Sequence, residues 1–229
     1  MGAFPGRVLD LGQMMSVASA RGRNSRAPEL WRGLYSLWPF VAGARNDVLS
    51  SRTLTLVDGA TFRPTPLGRA LHMAYSDPYE SATFSSSPDL GSQTTWTWAC
   101  LFRYEGSHDA NARYLYLENA GGGDSLSVYH QAWGNNDLKF SFLINWTSFT
   151  ITASAGLVPN TYQSAVFVRR AADDFEAWID GVSVGTDSTT LGYDDTQCTP
   201  RIGYAADNND NWQGDVAWMG FSRRAWSLA

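Results

Sequence analysis

The sequence is poor in lysine, cysteine and charge. Lys139 is the single lysine among 229 residues, and Asp, Glu, Lys and Arg together make up 17% of the chain. The residues that favour helices are correspondingly thin, which points away from an all-helical fold. Cys100 and Cys198 are the two cysteines. They are too few and too far apart for a disulfide framework or a zinc ribbon, and both are expected to be reduced. The longest uncharged run, Phe140 to Val168, could span a bilayer by length, yet it holds eleven Ser, Thr, Asn or Gln together with Gly156 and Pro159. It therefore reads as two strands and a turn. The start, MGAFPGRVLDLGQMM, places Arg7 and Asp10 where the apolar centre of a signal peptide would run, so Sec-dependent export is not expected.

What is present is aromatic and β-prone. Phe, Trp and Tyr reach 14%, with ten Trp, and 44% of the residues are hydrophobic, enough for one domain with a sizeable core. From Gly33 onward, short β-branched or aromatic runs alternate with clusters of Gly, Asn, Asp, Ser and Pro, which is the rhythm of a β-sandwich. Strands are expected over residues 34–40, 53–57, 70–74, 81–84, 95–104, 113–118, 125–130, 138–145 and 149–153. Later ones are expected over 163–170, 176–179, 182–185, 200–204 and 215–222. The clearest hairpin is FEAWIDGVSVG, where Asp180 and Gly181 supply a two-residue turn of positive φ.

Residues 1–32 differ from the rest. They carry Arg7, Arg21, Arg23, Arg26 and Arg32 against Asp10 and Glu29, a net +3 that leaves the remainder of a −5 chain at −8. Apart from a short candidate helix near Val8 to Ala18, this segment shows no sustained period and reads as an N-terminal arm. Its arginines are expected to pair with carboxylates of a neighbouring subunit or capsid protein, holding the arm in trans.

Several blocks carry a family resemblance. GLYSLWPF opens the domain with a Gly-Leu pair and an aromatic run, and GRALHMAYSDPYESATFSSSPDLGSQTTWTWACLFRY leads from a Gly-x-Ala-Leu strand through an Asp-containing loop to a long central strand. TYQSAVFVRRAADDFEAWIDGVSVG ends in the Asp-Gly hairpin, and PRIGYAADNNDNWQGDVAWMGFSRRAWS closes with an Arg-Ile-Gly strand and a Trp-Gln-Gly turn. In this order the blocks resemble the laminin G-like and pentraxin-like branch of the concanavalin A-like lectin/glucanase superfamily, over residues 33–229. The resemblance implies a two-sheet antiparallel jelly roll. It implies no activity, since one fold hosts many functions.

Glycoside hydrolysis needs two carboxylates about 5 to 10 Å apart across the scissile bond. The Glu-x-Asp-x-(x)-Glu string of this superfamily's glucanases is missing, and Glu80, Glu105, Glu118 and Glu176 each lack a correctly spaced second acid. His72, His108 and His130 lie in no recognisable nucleophile motif. Calcium is the one candidate cofactor, with Asp207 and Asp210 in the oxygen-rich run Asp207-Asn208-Asn209-Asp210-Asn211 as first ligands. An EF-hand is excluded, because Trp212 replaces the required Gly and Trp218 stands in place of the bidentate Glu. Against the laminin G-like pattern, Ala217-Trp218 replaces an acidic pair, and Ala74 and Pro78 replace acidic loop positions beside Asp77. Gly121, Gly122 and Gly123 lead into Asp124 rather than Lys-Ser/Thr, so no phosphate loop and no specific nucleic-acid partner are expected. Asn145-Trp146-Thr147 matches a glycosylation acceptor, read as a coincidence without an export signal.

Sugar binding has better material. A flat ring packs against the apolar face of a pyranose while neighbouring amides and carboxylates take its hydroxyls. Trp133 with Asn135, Asn136 and Asp137 forms one such cluster, and Trp212 beside Asn208, Asn209 and Asp210 forms another. The competing reading for each Trp, favoured by the number of Trp the core must absorb, is a core plug or subunit contact. Two readings follow. One is a non-enzymatic virion protein, a capsid decoration protein of a tailed bacteriophage on the capsid surface, with a lectin-like domain facing outward and the arm tying it into a symmetric homo-oligomeric assembly. The alternative is a carbohydrate-binding lectin module. Under either, incubation with β-glucans is expected to release no reducing sugar. Turnover that disappears when one Glu is changed to Gln would overturn this expectation.

Overall fold

The computed structural model describes residues 34–40, 43, 45–74, 80–86, 93–108, 111–118, 125–131, 137–144, 147–154, 157–188, 201–203 and 212–226. The arm, with its five arginines and candidate helix, lies outside them, as do Cys198, the Gly121–Gly123 run and Asn145.

Among the described residues every regular element is a strand. In chain order they are β1 (Leu34–Trp38), β2 (Leu54–Val57), β3 (Thr61–Thr65), β4 (Gly68–Met73), β5 (Ser81–Phe84), β6 (Trp96–His108), β7 (Asn111–Glu118) and β8 (Ser125–Gln131). They continue as β9 (Asp137–Ile144), β10 (Thr147–Ala153), β11 (Tyr162–Ala171), β12 (Asp174–Ile179), β13 (Val182–Asp187), β14 (Arg201–Ile202) and β15 (Trp212–Ser222). No helix there is long and apolar enough to cross a membrane.

The strands form two antiparallel sheets. One has eight strands in the order β13-β12-β11-β6-β15-β4-β3, with β1 pairing beside β15. The other has seven, β10-β9-β8-β7-β14-β5-β2. The chain is an all-β sandwich, as the alternation predicts. Thr61–Thr65 was not among the expected strands, because Arg63 and Pro64 break the apolar pattern. It is tolerated as the outermost strand of its sheet, where a residue without an N–H leaves no ladder bond unmade. Strand β6 runs four residues past its expected end, through Gly106 at φ +94.

Period-two alternation sorts the two faces of β6. Trp96, Trp98, Cys100, Phe102 and Tyr104 enter the core between the sheets, whereas Ala99 and Leu101 belong to a second cluster on the opposite face. Aromatic edges bind the sheets together: Phe140 of β9 meets Phe167 of β11 at 5.3 Å between centroids, and Trp38 of β1 meets Phe84 of β5 at 4.5 Å. Cys100 is a free thiol sealed in this core, and burial pushes its pKa up.

Two turns show how single residues fix the frame. Asp180 and Gly181 close the β12–β13 hairpin at φ 49 and 77, as expected. The Asp180 carboxylate also accepts from Ser164 N at 2.7 Å and Gln163 Nε2 at 3.2 Å, tying the turn to β11. Asp47 organises the turn after β1, its carboxylate accepting from Leu37 N at 2.8 Å and Leu49 N at 2.9 Å and from the hydroxyls of Ser36 and Ser50.

Gly203, which follows β14, has φ +93, and a Cβ there would sit 2.3 Å from Met73 Sδ and 2.9 Å from the Glu80 carbonyl. Gly106 has a similar φ with nothing within 4 Å. Gly106→Ala should therefore cost only backbone strain, about 1 kcal/mol, whereas Gly203→Ala adds overpacking and should cost about 2–4 kcal/mol. Urea midpoints of the two variants measure the difference, and equal shifts would show that the Gly203 site yields freely.

Candidate functional site

On the outer face of the eight-stranded sheet, four strands converge on one buried carboxylate. The register puts Asp215 of β15 opposite Arg103 of β6 on one side and His72 of β4 on the other, and β3 adds Arg63. Asp215 is fully buried. Its Oδ1 accepts from Arg63 Nε at 2.7 Å and lies 3.1 Å from His72 Nδ1. Its Oδ2 accepts from Arg63 Nη2 and Arg103 Nε, each at 2.9 Å. Both guanidinium groups also pair with Glu105, Arg103 stacks over the Tyr162 ring at 5.6 Å, and the Tyr162 hydroxyl is 3.4 Å from Asp215 Oδ2.

Two arginines thus meet two carboxylates. Burial by itself would raise the Asp215 pKa, but the hydrogen bonds from His72 and Arg63 and the charges of both arginines outweigh it and hold the group at about 2. Burial alone would likewise lower Arg63, and its bonds to Asp215 and Glu105 raise it instead. Burial pushes the Tyr162 phenol up. Glu105, isolated in sequence, is brought beside Asp215 by the fold. Asp215 nevertheless stays ionised across the neutral range with both oxygens occupied, the reverse of the raised carboxyl that a glycosidic general acid requires.

The strand ends that bracket the expected sugar-binding residues in sequence gather at one end of the sandwich. Trp212 opens β15 opposite His108, the last residue of β6, and Asn111, the first of β7, follows after a two-residue link. Asn111 pairs with Gln131 and Gln131 with Asp137, so the β8–β9 connection starts and ends beside that link. The links into β11 and β15 reach the same end, where Asn160 N donates to Tyr104 O at 2.6 Å. Asp215 lies three residues on from Trp212, about 10 Å along the strand. Of the predicted residues, Asp137 is half-buried at the start of β9, and the backbone of Trp212 is placed as stated. Trp133, Asn135 and Asn136 lie outside the described residues, as do the calcium candidates Asp207 and Asp210. Among the described residues no group of three His, Cys, Asp or Glu is placed to hold a metal ion. Ala217 and Trp218, at the laminin G-like acidic positions, are buried in the outer apolar cluster.

Solved structures share this fold. Domain 4 of AbnA, a GH43 extracellular arabinanase from Geobacillus stearothermophilus, in complex with arabinotriose, superposes with a TM-score of 0.68 at 10% identity, over 85% of this chain and 94% of that domain. The binding domain of Paraclostridial Mosquitocidal Protein 1 gives 0.69 at 11% identity, over 86% of this chain and 50% of that one. The binding domain of Botulinum neurotoxin DC in complex with rat synaptotagmin II gives 0.67 at 10% identity, over 86% and 49%. The chain spans about half the length of these toxin chains. No protein-family model and no curated protein matches the sequence. The shared property is the lectin-like β-sandwich fold.

The ion-pair cluster, unlike the loop residues, was not anticipated. Its one local signal is a lone acid, Asp215, directly before the apolar run Val216-Ala217-Trp218-Met219. Because the folded pKa of Asp215 lies below its unfolded value, its contribution to stability is complete above about pH 4 and is lost as pH falls through about 2, an amount of about 2 kcal/mol. Asp215→Asn should remove that acid-side slope. It should also cost about 3 kcal/mol or more at pH 7 by leaving two arginines unpaired. Denaturant unfolding from pH 5 to 2 checks both, and an unchanged slope in the variant would assign the acid sensitivity elsewhere.

Proposed function

We propose that the chain is a non-catalytic carbohydrate-binding module, with its site at the end of the sandwich where β8–β9 and the segment before β15 open. The observation that carries this reading is the register: two Trp-Asn-Asp clusters, 133–137 and 207–212, are anchored by strand ends that meet at the two-residue β6–β7 link. Trp133 and Trp212 are the stacking platforms in this proposal, and Asn135, Asn136 and Asp137 take sugar hydroxyls. The fold shared with an arabinanase domain in complex with arabinotriose supports a saccharide ligand. The laminin G-like blocks support placing the chain in that branch of lectin-like sandwiches. The virion role expected from the sequence draws no support from the described residues or from the shared folds.

Isothermal titration calorimetry against arabino-, laminari- and sialylated oligosaccharides tests the proposal. Binding is expected at about 10 μM to 1 mM. Trp133→Ala and Trp212→Ala should each weaken it at least about tenfold, the loss of one stacked ring. Full affinity in both variants, or no saccharide bound at millimolar concentration, would overturn it.

A further inference from the structure

An outermost strand turns alternate N–H and C=O groups away from its sheet, and proteins blunt such edges with charge, proline, bulges or shortness. Among the described residues, β13 and β3 end one sheet path, and β10 and β2 end the other. β3 carries Arg63 and Pro64, β13 has a bulge between Ser183 and Gly185 and ends in Asp187, and β2 has four residues. β10 has none of these devices. Its seven residues pair with β9 from Thr147 opposite Ile144 to Ala153 opposite Leu138 with no break in register, and their sequence holds no charge, proline or glycine. Among the described residues no strand pairs with its other edge.

Two features of this edge fit a second copy of the chain. The first is symmetry of sequence: about Thr150 the residue types mirror one another, Phe149 with Ile151, Ser148 with Thr152, and small Thr147 with small Ala153. Opposed residues of an antiparallel pair share one face of the sheet, so pairing β10 with itself about Thr150 sets like residue types opposite each other. Ile151 and Ala153 are buried while Thr150 and Thr152 are exposed, so such a pairing extends the core on one face and stays polar on the other. The second feature is charge. None occurs from Phe140 to Val168. Lys139, opposite Thr152 on β9, would stand about 20 Å from its copy, well beyond the screening length. The same side of the sandwich carries exposed apolar surface. β13 lies against β10, where a Cβ on Gly185 would sit 2.8 Å from Ile151 Cγ2, and Val182 of β13 is 66% exposed, the most of any large apolar residue described.

We propose that the chain dimerises through β10, which pairs antiparallel with β10 of a second copy with Thr150 on the two-fold axis, so that two seven-stranded sheets join into one of fourteen strands. The contact is closed, since both copies use the same edge and neither leaves it open to a third. It rests on main-chain hydrogen bonds along seven residues and on little apolar area, which corresponds to a dissociation constant of about 10 μM. The inference is independent of the saccharide proposal. Where both hold, the dimer presents two sugar sites and binds a repeating glycan with avidity.

Sedimentation equilibrium of the full chain from about 1 to 200 μM tests the proposal. A monomer–dimer equilibrium is expected. A monomer throughout that range overturns it, whatever then meets the β10 edge. Thr150→Lys sets two like charges opposite each other on the axis, as does Thr150→Glu, and each should weaken the dimer at least about fivefold. An equimolar mixture of the two variants should restore it, because opposite charges then meet. Two damaged strands would not recover on mixing, so the restoration separates lost pairing from a disturbed fold. A dimer that neither substitution weakens, or a mixture that stays monomeric, overturns the pairing.

Discussion

Strand β6 is buried on both faces from Trp96 to Phe102, and much of the described molecule is arranged around that constraint. Its inward residues Trp96, Trp98 and Phe102 are each at most 1% exposed, while its outward Ala99 and Leu101 are at most 9% exposed. A strand covered twice must be paired along both edges and packed above and below, because an unmet backbone group or an exposed ring would cost as much as the packing contributes. β11 and β15 meet the edges, Phe167 of β11 packs on the inward Trp96 and in turn on Phe140 of β9, and Trp226 returns to the outer face. The run from His108 to Asn111 carries the chain between sheets and sets where the other connections gather.

Where the outer face stops being apolar, it becomes ionic. Asp215 and Glu105 lie among Arg63, Arg103 and His72, so the buried charge is met by its opposite and by hydrogen bonds. Such a network contributes little over apolar packing of equal volume, yet is costly to break from one side. Its consequence is register. A one-residue slip of β15 would turn Asp215 into the inter-sheet core and Val216 outward, with no cation to meet the acid there. Arg103 over Tyr162 continues the network to β11, at the boundary with the apolar cluster.

The fold and the site speak to different questions. A sandwich shared at about 10% identity with an arabinanase domain and with toxin binding domains fixes architecture alone. What the described residues of this chain add is a neutralised ion cluster near the end where the β6–β7 link and the β8, β9 and β15 strand ends gather. Within that cluster Asp215 is ionised and both of its oxygens are occupied.

The sequence by itself determined the all-β class, the strand rhythm and the Asp180–Gly181 turn, because alternation and turn chemistry act over a few residues and are read locally. It singled out Trp133 and Trp212 as candidates through their Asn and Asp neighbours, with a core or subunit contact as the competing reading. It could not show that their strands end side by side, nor that Arg63, His72, Arg103 and Asp215, up to 152 positions apart, share one network. β3 escaped notice because edge position, not local pattern, makes Pro64 acceptable in a strand. The second apolar cluster was equally hidden: Val166 and Leu101 look like any alternate strand residues until the sheet order sets them together on its outer face. Tertiary structure decided these points because antiparallel pairing joins residues by register across the sheet, and register depends on every strand between them.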